Sequence, residues 1–175
     1  MHAALLHTSL QQLVHDLDAA VRSSVPGAPT VAAVETALQP HLGRDDLLTP
    51  DQRVGDPSRY RQHLLHVAED GAFSVVALVW LPGQATPIHD HLAWCVVGVH
   101  QGAEYETRYR LVGDRLMTDG TATAHVGDVA GLLPPGDIHK VENAGSGLAV
   151  SLHVYGADLR ASGSSIRRRY DLPVD

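Results

Sequence analysis

A chain of 175 residues with 44% apolar side chains suits one folded unit around a single core, and a net charge of -7 argues against a broad phosphate-binding face. Cys95 is the only cysteine, so no intrachain disulfide forms, and no apolar run is long enough to span a bilayer. Met1-His2-Ala3-Ala4-Leu5-Leu6 lacks the basic start and long apolar stretch of a secretory signal. The expected compartment is therefore the reducing cytoplasm, with neither nucleic acid nor membrane as partner.

The pattern changes near residue 58, with helical periodicity before it and short apolar runs cut by glycine and proline after it. Leu10, Leu13, Val14, Leu17 and Val21 recur at helical spacing, so residues 9–23 read as an amphipathic helix, capped reciprocally by Ser9 and Gln12 and ended by Pro26 and Gly27. Thr30 is expected to cap a second helix over 31–38, closed by Pro40 and Gly43. Thr49, Pro50 and Gln52 suggest one more short turn.

Strands are expected over 60–67, 73–81, 92–100 and 104–111, then a hairpin around Asp119-Gly120, then a strand over 149–155. That run reads as an antiparallel barrel or sandwich. Ser162-Gly163-Ser164-Ser165 reads as a flexible break before a tail. The expected division is one domain over 1–175, with a helical segment at 1–57, a β core at 58–160 and a tail at 161–175.

Three histidines carry the chemistry. His89 and His91 lie in Pro87-Ile88-His89-Asp90-His91, and His139 follows Pro134-Pro135-Gly136-Asp137-Ile138. Together they read as one metal site without a carboxylate ligand, which leaves a divalent ion its positive charge and open positions. On a strand without a bulge, His89, His91 and Cys95 share one side and Trp94 takes the other. Ser151, His153 and Tyr155 alternate with Leu152 and Val154, a pattern that fits either a solvated face or a polar pocket inside a barrel. Bland roles suit other residues: His2, His7, His15, His41, His100 and His125 at the surface or in caps, His63 and His66 outward on their strand, Trp80 and Trp94 in the core.

These motifs resemble the cupin superfamily, and within it the thiol dioxygenases related to cysteine dioxygenase. Gly83, His89, His91 and Gly102 sit at the spacing of the first cupin motif, with Cys95 where most cupins place a glutamate. Pro134, Gly136, His139 and Asn143 match the second motif, although Gly127 lies one residue further away than usual. Ser151, His153 and Tyr155 match the family's S-x-H-x-Y run. The resemblance covers about residues 58–160 and implies a mainly β, jelly-roll-like antiparallel barrel with N-terminal helices.

The resemblance further implies Fe(2+) held by His89, His91 and His139, with Ser151, His153 and Tyr155 as a hydrogen-bonded relay beside it. Cys95 stands where related enzymes form a thioether with the relay tyrosine, here Tyr155. Tyr60 and Gln62 look like the family's substrate strand. Gln62 resembles the bacterial group associated with 3-mercaptopropionate, in which an arginine near the C-terminus meets the carboxylate; Arg168 is the candidate here. The expected partners are a small thiol carboxylate, 3-mercaptopropionate ahead of cysteine, and dioxygen, giving a sulfinate. A non-catalytic metal- or acid-binding sensor and a three-histidine enzyme using another metal are the competing functions.

Overall fold

The computed structural model describes residues 2–175, with side chains from Ser9 onward. Helices α1 (His2–Ser23) and α2 (Ala28–Leu38) come first, followed by two 3-10 turns at Gln39–His41 and Pro50–Arg53. Ten strands follow: β1 (Arg61–Val67), β2 (Ser74–Trp80), β3 (His89–His91), β4 (Cys95–Gln101), β5 (Ala103–Val112), β6 (Arg115–His125), β7 (Val129–Leu132), β8 (His139–Glu142), β9 (Ala149–Tyr155) and β10 (Ile166–Arg169), with the short helix α3 (Leu159–Ser162) between the last two. They form two five-stranded sheets, ordered β1-β2-β9-β4-β7 and β10-β3-β8-β5-β6, with antiparallel pairing throughout. The fold is mainly β, a cupin-type double sheet with helices packed outside it.

Side-chain alternation in the first sheet divides the interior. On β2, Val75, Ala77 and Val79 join Val150, Leu152 and Val154 of β9 in a core with Leu13, Leu17, Val34 and Leu38 of the helices. The alternate residues Val76, Leu78 and Trp80 turn the other way and pack with Cys95 and Tyr155. Every residue of β2 and β9 is therefore buried, which explains why β2 is an unbroken apolar run after Ser74. The helices sit flush on this sheet because Gly131 of β7 offers no side chain: a Cβ there would lie 2.2 Å from Val31 Cγ1.

Several sequence expectations are corrected. The first helix already runs through Ser9, whose hydroxyl donates to Asp46 Oδ2 (2.6 Å), while Gln12 donates to Asp16 (2.9 Å), so neither residue caps it. Gly27 is the N-cap of α2, and Thr30 lies within that helix with its hydroxyl donating to Val25 O. The short turn at Thr49 forms as expected, with a reciprocal capping box between Thr49 and Gln52. The hairpin turns at Gly113-Asp114; Asp119 is the extra residue of a β-bulge, where pairing passes from Arg108↔Gly120 to Tyr109↔Thr118. His41 and His100 are buried rather than superficial: His41 meets Asp16 Oδ2 at 2.9 Å, and His100 accepts from the Gly43 amide. His63 and His66 are half-buried. The side chains of His2 and His7 lie outside the described ones.

The residues after Ser162 return to the sheet. β10 pairs with β3, and Tyr170 continues into a small apolar cluster with Tyr109, Leu116 and Ile138 on that sheet's outer side. β7, β8 and β10 had no sequence expectation as strands.

Candidate metal centre

The expected strand over 92–100 is replaced at its start by two elements in different sheets. His89 and His91 occupy β3, whereas Cys95 opens β4 in the opposite sheet after a bend at Leu92-Ala93-Trp94. The alternation of β3 still holds, because His89 and His91 face the space between the sheets and Asp90 faces away. His139 opens β8 directly across from His89. Asn143 holds this end of β8 in place: its Nδ2 donates to Trp80 O (3.0 Å) and Gly147 O (2.8 Å), and its backbone pairs with the turn at Gly83-Gln84.

His89, His91 and His139 are all buried, and each has a nitrogen within 4.8 Å of the others'. The outer nitrogens decide the tautomers. His89 Nδ1 lies 2.9 Å from Pro87 O, His91 Nδ1 2.8 Å from Asp137 Oδ2, and His139 Nδ1 2.8 Å from Glu106 Oε1. A carbonyl or carboxylate oxygen only accepts, so each Nδ1 carries the proton and each Nε2 presents a lone pair. His139 Nε2 is buried without any partner in the protein. A buried lone pair beside two others of the same kind fits a cation better than any protein donor in reach. Burial, then the neighbouring imidazoles of His139 and His91, push His89 down to about 3, so it stays neutral.

Asp137 and Glu106 modify the charge argument made from sequence. Neither is a ligand, yet each stands one hydrogen bond behind a ligating ring. Burial is the largest influence and raises both carboxyls, but hydrogen bonds and charge attraction, chiefly from His91 on Asp137 and from His139 on Glu106, together outweigh it and hold both below their ordinary values. The centre therefore has two carboxylates set behind its imidazoles, which offsets a divalent charge without filling its coordination positions. One signal in the sequence pointed to Asp137, its place two residues before His139. Glu106 depended on the β5–β8 register and carried none.

The relay stands opposite, on β9. Tyr155 OH lies 3.0 Å from His153 Nδ1, His153 Nε2 lies 2.9 Å from Ser151 Oγ, and Trp80 Nε1 donates to Ser151 Oγ at 3.1 Å. Tyr155 approaches the ligands, with its ring centroid 6.0 Å from that of His91. Burial is the main reason that the His153 imidazole is held far below its ordinary value and the Tyr155 phenol far above, so both are neutral. Cys95 is the cross-strand neighbour of Tyr155 and is fully buried, with its thiol raised well above normal by burial.

Tyr60, Gln62, Thr86, Ser164, Ser165 and Ile166 line the cavity of about 30 Å³ that the three ligands and Tyr155 share. Tyr60 stacks on Trp80, with ring centroids 4.6 Å apart, and Gln62 Nε2 donates to Gly163 O at 3.4 Å. Arg168 is not brought to this cavity. It lies over the Tyr170 ring at 4.5 Å, and Arg167 pairs with Asp90. The reason is the alternation of β3: Asp90 points to the outer side, takes the Tyr170 hydroxyl at 2.8 Å and draws the guanidinium there, while Ile166 takes the place beside His91. Ser165, from the segment expected to be a loose break, is buried and lines the cavity beside Tyr155 instead.

A cupin-type barrel with a three-histidine metal site is the class of protein that this fold and geometry define. The cysteine dioxygenase type I family matches residues 8–164, and the chain belongs to that family. Membership points to thiol dioxygenase chemistry and to a metal cofactor. Among solved structures, the chain is similar to the protein TT1209 from Thermus thermophilus, with 21% identity over 63% of this chain and 96% of that one and a TM-score of 0.49. It is also similar to a cupin 2 conserved barrel domain protein from Salinispora arenicola, with 20% identity over 66% and 90% of the two chains and a TM-score of 0.47. A double-stranded β-helix domain protein from Klebsiella pneumoniae matches with 19% identity over 66% and 92% and a TM-score of 0.46. No described helix is long and apolar enough to cross a membrane.

Proposed function

We propose that the protein is a non-haem iron dioxygenase that adds both atoms of dioxygen to the sulfur of a small thiol carboxylate, yielding a sulfinic acid. The observation that carries this reading is the set of three buried imidazoles with outward-tied Nδ1 atoms facing the Tyr155 hydroxyl across one small cavity. Ferrous iron, held by His89, His91 and His139, would supply a cation that favours the thiolate form of the substrate and a redox centre that activates dioxygen.

The protein's own groups do the rest. Tyr155 offers a hydroxyl proton toward the reacting atoms, His153 fixes the phenol's orientation, and Ser151 with Trp80 fixes His153. Leu78, Val141 and Ile166 narrow the cavity around the polar groups and limit the water that enters with the substrate. Tyr60 and Gln62 are the donors for the substrate's acid group. They are neutral, and among the described residues no lysine or arginine lines the cavity, so the acid is held by hydrogen bonds rather than by a bidentate ion pair. That donor set suits 3-mercaptopropionate, which brings a carboxylate and no ammonium group, ahead of cysteine.

The test is metal analysis after expression in iron-supplemented medium, then oxygen uptake with 3-mercaptopropionate, cysteine and mercaptosuccinate and identification of the sulfinate by mass. Iron with thiol-dependent uptake supports the reading; zinc with no uptake refutes it. A clear preference for cysteine would overturn the argument from Gln62. The Cys95–Tyr155 neighbourhood also suits a thioether, detected as an intact mass short by two hydrogens and refuted by complete alkylation of Cys95 after denaturation.

A further inference from the structure

The relay of Tyr155, His153 and Ser151 does not end at Ser151. Glu104, at the start of β5, is 4% exposed and stands beside Ser151 and Trp80, while its Oε1 is buried without a partner. A buried carboxyl with an orphaned oxygen, set beside a polar chain, is costly unless it serves that chain. Glu104 also lines a second cavity, of about 80 Å³, which shares His139 and Val141 with the thiol site. Its walls include Val97, Val99 and Val141, together with the exposed Ala122, Asp128 and Ala130, so it reaches the surface and is large enough to admit water.

We propose that Glu104 is the terminal member of the relay, and that its protonation state sets whether Tyr155 donates its hydroxyl hydrogen into the metal cavity or back to His153. Protonated Glu104 donates to Ser151 Oγ, so Ser151 donates to His153 Nε2. His153 then carries its proton on Nδ1 and donates it to the phenol oxygen, which leaves the Tyr155 hydrogen free to point into the cavity. Ionised Glu104 reverses each bond: Ser151 donates to the carboxylate, His153 Nε2–H donates to Ser151, and the Tyr155 hydrogen turns to His153 Nδ1.

One proton separates the two states. In passing from the first to the second, Tyr155 gives its proton to a basic oxygen of the molecules in the metal cavity and receives one from His153 Nδ1. His153 Nε2 takes the Ser151 proton, and Ser151 takes that of Glu104. The reverse passage takes one proton back at Tyr155 and shifts the others along the chain to Glu104. No bond other than those to hydrogen changes, and no oxidant is needed.

The surroundings favour this role. Burial is the largest influence on Glu104 and raises it, with Glu106 on the same strand adding to the rise; hydrogen bonds from Ser151 and Trp80 oppose it, and the balance falls at about 7. His139 of β8 and Asp128 before β7 line the same cavity, while β4 contributes only valines there. His153 stays neutral in both states, because burial and the three ligating imidazoles disfavour its cation. Glu104 touches no reacting atom and is a positioning residue, acting through Tyr155.

Direct observation does not need turnover. In zinc-loaded protein with labelled glutamate carboxyls and histidine rings, Glu104 should titrate near 7, with the His153 proton moving from Nδ1 to Nε2 at the same midpoint. Glu104→Gln should abolish that movement and hold His153 in the Nδ1–H form. A Glu104 midpoint in the ordinary carboxylate range, or a His153 tautomer unchanged across the titration in the wild-type protein, overturns the proposal even where the variant fails to fold. The catalytic consequence rests on the dioxygenase reading: oxygen uptake should fall about tenfold from about pH 6 to about pH 8 in the wild type and less than about twofold in Glu104→Gln. Equal pH profiles overturn it. No thiol-dependent uptake at any pH refutes the dioxygenase reading, while the titration still decides the relay.

Discussion

Asp137→Asn separates the role of a carboxylate behind the metal site from the role of the ligands. Asp137 Oδ2 accepts from His91 Nδ1 at 2.8 Å and from the His91 amide at 3.3 Å, with a side chain only 3% exposed. In the variant, an amide oxygen facing His91 keeps the tautomer but loses the negative charge that strengthens the ring as a donor. An amide nitrogen facing His91 is worse, since it drives the ring proton onto Nε2 and removes the lone pair from the site. Either orientation weakens the metal by about 10–100-fold, or about 1.4–2.7 kcal/mol, with the fold intact because the side-chain volume is unchanged. Competition against a chromophoric chelator measures the affinity, and circular dichroism checks the fold. An affinity within about twofold of wild type would show that Asp137 does not orient His91, and the tautomer argument for the whole site would fail with it.

Three further outcomes are expected. Tyr155→Phe should lower thiol-dependent turnover by about 10²–10³-fold, equivalent to about 2.7–4 kcal/mol, at unchanged metal content; unchanged turnover would remove the phenol from the mechanism. Gly131→Ala places a Cβ against Val31 and should destabilise the fold by about 1–3 kcal/mol in urea unfolding, with no change if α2 does not rest on β7. Leu17→Ala, at a fully buried position between helix and sheet, should cost about 2–5 kcal/mol in the same assay, and a cost below about 0.5 kcal/mol would show that the helices do not share the sheet's core.

The ligand trio showed in the sequence as two short histidine motifs, whereas Ser151, His153 and Tyr155 showed only as residues sharing one side of a strand, their relay being what the family resemblance implied. The partners of those residues did not show. Glu106 reaches His139 only because β5 pairs with β8 in the register Arg108↔His139, and Glu104 meets Ser151 across the barrel interior from a strand in the opposite sheet. No local pattern encodes either register. Asp119-Gly120 misled for a related reason: its turn chemistry is real, but a bulge uses the same residues as a turn, and the cross-strand partner Arg108 decides between them.

The ambiguity in Ser151-Leu152-His153-Val154-Tyr155 shows how the N-terminal helices bear on function. Polar and apolar residues alternate there, which fits an ordinary surface strand whose polar side is wet. The helices change the outcome by covering the apolar side: Leu13, Leu17, Val34 and Leu38 bury Leu152 and Val154 from outside, so Ser151, His153 and Tyr155 must turn inward. Once inward, these polar groups lose water and need partners in the protein, and they find them in one another and in Trp80. Burial that makes the relay costly also makes it well defined, because each member has few other groups to bond. The helices touch no ligand, yet the outward packing of β9 is what aims Tyr155 at the histidines.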